Sequence, residues 1–514
     1  MPIRMTGMVS GLDTDSIVKE LVSAYSTKKE KYEKEQTKLG WKQEIWKSLN
    51  KEVNSFYKSV GNLRFDSGYN TKKTTSSDST KATVSASGNA TVGTQKLHVL
   101  STAQSGYLTG AEIKTAANEK VTTSTKLSDL GVTADEITFN VGPANNSASG
   151  TTKQIKVGKD STISDVVNQL KDAGLNANFD AGNRRFYLSS SDSGYATDFN
   201  ITADSSDTNS TTLLNALGLG KTAKKIDGSD AVIVLNGVKY TSTTNNFSIN
   251  GLSISVNGVT DKVDDLEKVD VDDSKAVSIS TTTDTQGIYD KIKDFLTSYN
   301  NIINKMTKLY NADSAKNYEP LTDDEKSQMS DSEVEKWETK IKDSLLRRDS
   351  NLSTIMNAMT TSMTKAISIN GKNYSLSSFG ISTLGYMNSA ENEQNAYHID
   401  GDEDDENTSG NKDKLMAALS SDPDTVIDFM KQLSTNLYTA IDKQMQSNSL
   451  RSRYSIYNDK EMTSQYTSYT KTIAEWETKI SDKEDYYYKK FSKMETALSK
   501  LNSQTSSLSG MFSS

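Results

Sequence analysis

The two ends of the chain constrain its fold more than anything between them. Ile473, Trp476, Ile480, Tyr487, Phe491, Met494, Leu498, Leu501 and Leu508 step by threes, fours and sevens. That is the spacing of one face of a long α-helix. Near the start, Ile17 and Leu21, then Ile45, Leu49, Val53, Phe56, Val60 and Leu63, follow the same period. The sequence between these ends is rich in Ser and Thr and alternates like β-strand from about residue 80 to 285. A chain with helical ends and a β middle folds back on itself and joins its termini as a stalk. That arrangement suits an assembly subunit better than an enzyme.

The terminal stripes look incomplete in isolation. A 50-residue helix is about 75 Å long, and the only internal mate for the last helix is the thinly apolar stretch Ser16–Gly40. Such a pair buries too little to offset an ordering cost of about 1–2 kcal/mol per residue. Ile17, Leu21 and the C-terminal stripe are therefore candidate contacts with other molecules. Gly40 reads as a hinge between this weak first helix and a second, from Trp41 to Leu63, that belongs to a bundle. The stripe Ile288, Ile292, Phe295, Tyr299, Ile303, Met306, Leu309 and the run around Val426–Met445 would complete that bundle.

Composition removes several function classes. The 514 residues include no cysteine and only two histidines, so thiolate sites are excluded and histidine chemistry is poorly supplied. Net charge is −8, with both signs mixed along the chain, which leaves no basic face for nucleic acid. No run approaches the ~18 apolar residues of a membrane span. The opening MPIRMTGMVSGLDTDSIV lacks the apolar core of a cleavable signal peptide, so export is expected by another route. Residues 1–11, small and glycine-containing, read as flexible.

Along the middle, residues 71–80 favour an extended crossover. ISDVVNQLKDAG predicts one helix, with Ile163, Val166, Val167 and Leu170 on one face and Gly174 as its stop. Asn236-Gly237, Asn250-Gly251 and Asn257-Gly258 are expected hairpin turns. Thr322 with Glu325, and Ser330 with Glu333, have capping-box spacing. The acidic run Asp400, Asp402–Glu406 lacks the Gly and Glu of a calcium loop and reads as solvated. His98 reads as structural, and His398 is placed to partner the acidic run. No H-E-x-x-H, G-x-S-x-G or Walker-type loop occurs, so neither catalysis nor a cofactor or metal is expected.

MVSGLDTDSIVKELV, KDKLMAALSSDPDTVIDFM and the closing WETKISDKEDYYYKKFSKMETALSKLNSQTSSLSGMF together resemble the bacterial flagellar filament-capping family, also called flagellar hook-associated protein 2. QIKVGKDSTISDVVNQL, with the strands after it, is similar to a β motif of flagellin and hook proteins. The resemblance implies a multi-domain α+β fold: terminal coiled-coil helices, a helical bundle and inserted β-rich head domains. The expected domains are 1–40 with 462–514 for the coiled coil, 41–72 with 284–461 for the bundle leg, and 73–283 for a head of two domains. It further implies a pentamer-like homo-oligomeric ring at the filament tip that helps exported flagellin fold and insert. Implied partners are flagellin, the hook-associated junction proteins, an export chaperone and the type III export apparatus. Another flagellar axial protein, or an adhesin binding host glycans or mucin through the β head, are the alternatives.

Overall fold

The computed structural model describes residues 9–115, 120–144, 151–262, 266 and 271–512. The flexible start expected for residues 1–11 lies outside the described residues up to residue 8. The chain divides into two compact units, residues 1–69 with 285–514 and residues 70–284.

Helix α1 (Thr14–Asn62) opens the chain, and the Asp13 side chain caps it by accepting from the Ser16 amide. It runs through Gly40 without a break, which corrects the expected hinge. The reason is local. A lone glycine costs a helix only about 1 kcal/mol, and the position has room for a side chain. A β-carbon at position 40 would sit 3.6 Å from the Tyr466 ring.

Unit 70–284 is built of strands. They are β1 (Lys72–Ser76), β2 (Ala82–Ala86), β3 (Gly93–Ser101), β4 (Tyr107–Thr109), β5 (Ile137–Pro143), β6 (Lys153–Val157), β7 (Leu175–Asp180), β8 (Arg185–Ser190), β9 (Phe199–Ala203), β10 (Lys224–Ile226), β11 (Ala231–Leu235), β12 (Val238–Ser242), β13 (Asn246–Ile249), β14 (Leu252–Val256) and β15 (Val277–Thr283). Helix α2 (Ile163–Asp172) follows β6, and the short α3 (Ser210–Ala216) follows β9.

A five-stranded sheet, β1-β15-β3-β11-β12, and a three-stranded sheet, β13-β14-β2, share a core that includes Leu97, Val99, Ile233, Ile254 and Ile279. Everything from β4 to β10 is inserted between the paired neighbours β3 and β11. The insert has its own sheets, β10-β4-β8-β7 and β6-β5-β9, and its own core around Phe139, Phe186 and Leu170. Residues 72–76 are thus a paired edge strand rather than a bare crossover, because their threonines and lysines register against β15.

In α2, Ile163, Val166 and Leu170 are buried, and Gly174 takes the left-handed φ of +99° just past the helix end. Asn236-Gly237 and Asn250-Gly251 form tight two-residue turns with positive φ at both positions. Asn257-Gly258 does not. Its residues have no positive φ, and both amides donate to the Lys81 carbonyl.

The chain returns to the first unit through α4 (Thr285–Asn311), α5 (Asp323–Ser327), α6 (Asp331–Ser344), α7 (Ser350–Met363), α8 (Lys414–Ser421), α9 (Pro423–Gln444) and α10 (Asp459–Phe512). Two small hairpins, β16 (Ile367–Ile369) with β17 (Lys372–Tyr374) and β18 (Ile381–Ser382) with β19 (His398–Ile399), lie between α7 and α8. Both capping boxes form, at Thr322 and Ser330. Pro423 separates α8 from α9 at N1, where its missing amide costs nothing. One large core joins Trp46–Val60 of α1 to α4, α7, α8 and α9 and ends near Met462 on α10. Trp46 is 1% exposed and stacks on Tyr457 at 5.3 Å between ring centroids.

Candidate functional site

Below the bundle, α1 and α10 continue as an antiparallel pair. Lys29 Nζ lies 3.2 Å from Glu477, Gln36 Nε2 donates to Thr470 Oγ1 at 2.7 Å, and Tyr488 OH donates to Asp15 at 2.8 Å. Tyr25 meets Trp476 and Tyr32 meets Tyr469, each with centroids 6.3 Å apart. Lys28 and Lys479 both lie over the Trp476 ring, at 5.3 and 4.5 Å. This seam mixes aromatic and polar contacts with aliphatic ones.

The predicted contact residues divide into three groups. Ile17, Ile473, Trp476, Ile480, Tyr487, Phe491, Met494 and Leu498 are half-buried. Leu21 is 42% exposed, turned off the seam. Leu501 and Leu508 are 56% and 54% exposed. The structure therefore brings part of the C-terminal stripe against α1 and leaves its far end uncovered within the described residues.

In its first turns α1 packs on α10 through a different face from the one that carries Ile17 and Leu21. Thr14, Val18 and Val22 are buried, at 2%, 1% and 3% exposure. With Tyr25, Lys29, Tyr32, Gln36 and Leu39 they step by fours and threes, so a legible stripe exists. It is hidden because Tyr, Lys, Gln and Thr do not register as apolar, although their stems cover apolar surface.

Electrostatics fasten this pair at two levels and cap α1 between them. Burial pulls the Lys29 ammonium down, but Glu477 and Glu33 outweigh it, and its pKa is raised. The Ser16 hydroxyl and amide hold Asp13 below the usual carboxylate range, as a helix cap does. At the end of α1, Glu495 accepts from the Ser10 hydroxyl and from the Val9 amide at 2.9 Å. The Ser10 hydroxyl, then the Val9 amide, lower the Glu495 pKa. Beyond Glu495, α10 extends to Phe512, about 25 Å further.

A second polar cluster secures the outer face of α1 where stalk meets bundle. Lys34 reaches Glu319 at 3.5 Å and Glu325 at 3.8 Å, Lys42 pairs with Asp349 at 2.8 Å, and Lys342 lies over the Trp41 ring. The segment carrying α5 and α6 is thereby strapped across the position where a hinge was expected.

The two histidines are both paired. His98 is 2% exposed, and its Nδ1 lies 2.8 Å from Asp261. His398 Nδ1 lies 2.5 Å from Asp405. The acidic run is less solvated than expected, because Lys293 binds Asp402 and Asp404, each at 2.6 Å, and draws the loop against α4. Among the described residues no group of three His, Asp or Glu side chains is placed to hold a metal. No helix among them is long and apolar enough to cross a membrane.

These features sit in a chain whose relatives are recognisable. The sequence profile of the flagellar hook-associated protein 2 C-terminus matches residues 228–503, and that of its N-terminus matches residues 10–106. The flagellar hook-associated protein 2 of Halalkalibacterium halodurans is 24% identical, covering 99% of this chain and 100% of the relative. That of Thermotoga maritima is 24% identical over 69% of this chain and 53% of its own length. Among solved structures, the D1-D2-D3 domains of the flagellar cap protein from Escherichia coli match with a TM-score of 0.46 and 18% identity. That alignment covers 76% of this chain and 94% of that one. The two sequence profiles and the full-length relative select the capping family over the junction-protein and adhesin alternatives, and the family is structural rather than enzymatic. By the profiles spanning its N-terminal segment and its C-terminal half, the chain belongs to the flagellar hook-associated protein 2 family.

Proposed function

We propose that this protein caps the tip of the bacterial flagellar filament as a homo-oligomer and promotes folding and insertion of exported flagellin. The family match at both ends of the chain carries the reading. In physical terms the bundle is the rigid leg, and the strand-built unit supplies the head. The stalk supplies contacts that exchange as the filament grows. A cap that advances with each added subunit cannot hold any one site tightly. Half-buried aromatics and exposed leucines on α10 suit that demand, because each contact adds a small free energy.

Within this reading, Ile17, Leu21, Ile473, Trp476, Ile480, Tyr487, Phe491, Met494, Leu498, Leu501 and Leu508 form the assembly interface. Leu501 and Leu508 meet flagellin or the hook-associated junction proteins directly. The ring is pentamer-like, and export proceeds through the type III apparatus with a chaperone. The segments 1–40 and 462–514 act as one terminal domain, 41–72 with 284–461 as the leg, and 73–283 as the head. Purified protein added to growing filaments tests the reading: full-length chain is expected to support elongation, and a chain lacking residues 470–514 to lose that support. A truncated chain that still caps would defeat the assigned role of the stalk.

A further inference from the structure

We propose that neighbouring copies of this chain join leg to leg, with the Tyr386–Met387 tip of one copy seated in the α1/α4 groove of the next. This inference rests on the capping reading, which supplies the oligomer.

The tip is a built feature. Tyr386 and Met387 are 81% and 89% exposed, the highest values for any large apolar side chain among the described residues. They follow Gly385, which turns the chain at φ +78°. The Gly385 carbonyl accepts from the amides of Asn388 and Ser389 at 3.2 and 3.1 Å, which holds the turn closed behind them. The loop is also clamped to α4. The Asn300 side chain makes both bonds to the Tyr397 backbone at 2.8 Å, and Asn311 bonds Asn392 at 3.1 Å. An ordered apolar pair held out in water is a cost that a contact would remove.

The same unit holds a receptor for it. Two recesses of about 520 and 610 Å³ share Ser59 and Ser298 and so form one groove between α1 and α4. Phe56, Phe295 and Ile302 form its apolar floor, and serines of both helices keep its walls low. Either recess is of a size that takes a bulky side chain.

Charge and position select a second copy as the occupant. Glu391 and Glu393, further along the same loop, have no ion-pair partner among the described residues, although Glu391 shares a recess with Lys305, Lys308 and Lys340 of its own unit. On the groove rim, Lys51 is equally unpaired, whereas its neighbour Glu52 is neutralised by Lys305 at 2.5 Å. Lys291 adds a second rim cation, with Asp294 opposing it. At 100° per residue, the α4 positions that clamp the loop (Lys293, Asn300, Asn311) and those lining the groove (Lys291, Phe295, Ser298, Ile302) fall on opposite flanks of the helix. Knob and hole on opposite flanks of one rigid unit make a head-to-tail contact, the kind that closes into a ring.

The absence of cysteine permits a clean test. Full-length chains carrying Met387→Cys or Ser59→Cys are assembled separately and as a mixture, then oxidised. A band at twice the monomer mass is expected in the mixture, lost when Tyr386→Ser is added to the Met387→Cys chain. Dimer from the Met387→Cys chain alone would show a tip-to-tip contact and overturn the proposal. Rings by electron microscopy with no 387–59 disulfide would overturn this contact and leave the capping reading standing. Neither rings nor capping would remove the reading on which it rests. Flagellin given an introduced surface cysteine and trapped by the Ser59→Cys chain in place of a second copy would assign the groove to the exported subunit and overturn the proposal as well.

Discussion

Helix α1 is one continuous helix in two different environments. From Trp46 to Val60 its core residues are at most 7% exposed and touch several helices of the bundle. From Thr14 to Leu39 it has α10 as its main partner, and only Thr14, Val18 and Val22 are buried. Backbone hydrogen bonding is the same in both halves, so continuity of the helix says nothing about how firmly each half is held. Tertiary burial decides that, and it falls off toward the termini. The lesson is that a stalk can be helical along its whole length and still be the part of the molecule with the least to lose on changing partners.

The largest test of this contrast replaces a tryptophan in each half. Trp46→Ala removes a fully buried ring stacked on Tyr457 and is expected to cost about 3–5 kcal/mol of unfolding free energy, read from urea denaturation. Trp476→Ala removes a half-buried ring from the seam, and its cost is expected to stay below about 1.5 kcal/mol. Equal losses would erase the distinction between bundle and stalk. Val22→Ala then probes the buried strip that the stalk does have. At about 0.8 kcal/mol per buried methylene, it should cost roughly 1.6 kcal/mol in the full chain. Leu21→Ala, one residue away on the exposed side, should cost much less. A reversal of these two would place the seam on the Leu21 face instead.

The bundle was more legible than the stalk for a physical reason. A core shared by several helices demands aliphatic and aromatic residues at every inward position, and Leu49, Val53, Phe56, Ile292 and Met306 announce it. A two-helix seam accepts Lys29, Gln36 and Thr470, whose stems pack while their heads stay wet, and so its period is masked. Capping boxes and Asn-Gly turns at 236 and 250 were readable because their chemistry is local. Asn257-Gly258 was not, since the Lys81 carbonyl, far away in sequence, sets its conformation. The Tyr386–Met387 tip carries no periodic signal, and only the structure exposes it.

Gly40 sharpens the comparison at the boundary between the halves. A hinge would need this residue's freedom, whereas an unbroken helix only tolerates it. A β-carbon at 40 would meet the Tyr466 ring at 3.6 Å, an ordinary contact. Gly40→Ala is therefore expected to stabilise the chain by about 0.4–1 kcal/mol, mainly by restricting the unfolded state. The strap from Lys34 and Lys42 to Glu319, Glu325 and Asp349 points the same way, since it spans the boundary. A Gly40→Ala chain that gains stability but no longer supports filament growth would restore the hinge as a functional element.

The smallest expected effect lies at the far end of the stalk, where one carboxylate ties the first described residues to α10. Glu495 accepts from Val9 and Ser10, and these bonds lower its pKa below the ordinary glutamate value of about 4.3. A lowered folded-state pKa means the folded form binds the proton less readily than the unfolded form. The tether's contribution is therefore complete above the ordinary value and is lost as pH falls through the folded pKa. Between pH 7 and 5 the amides of Val9 and Ser10 should keep their protection from hydrogen exchange, and they should lose it on further acidification while the bundle amides near Trp46 remain protected. Glu495→Gln keeps a carbonyl acceptor but removes the titrating charge, so its residual protection should no longer respond to acid. Protection that vanished with pH in this variant too would place the titrating group elsewhere in the stalk.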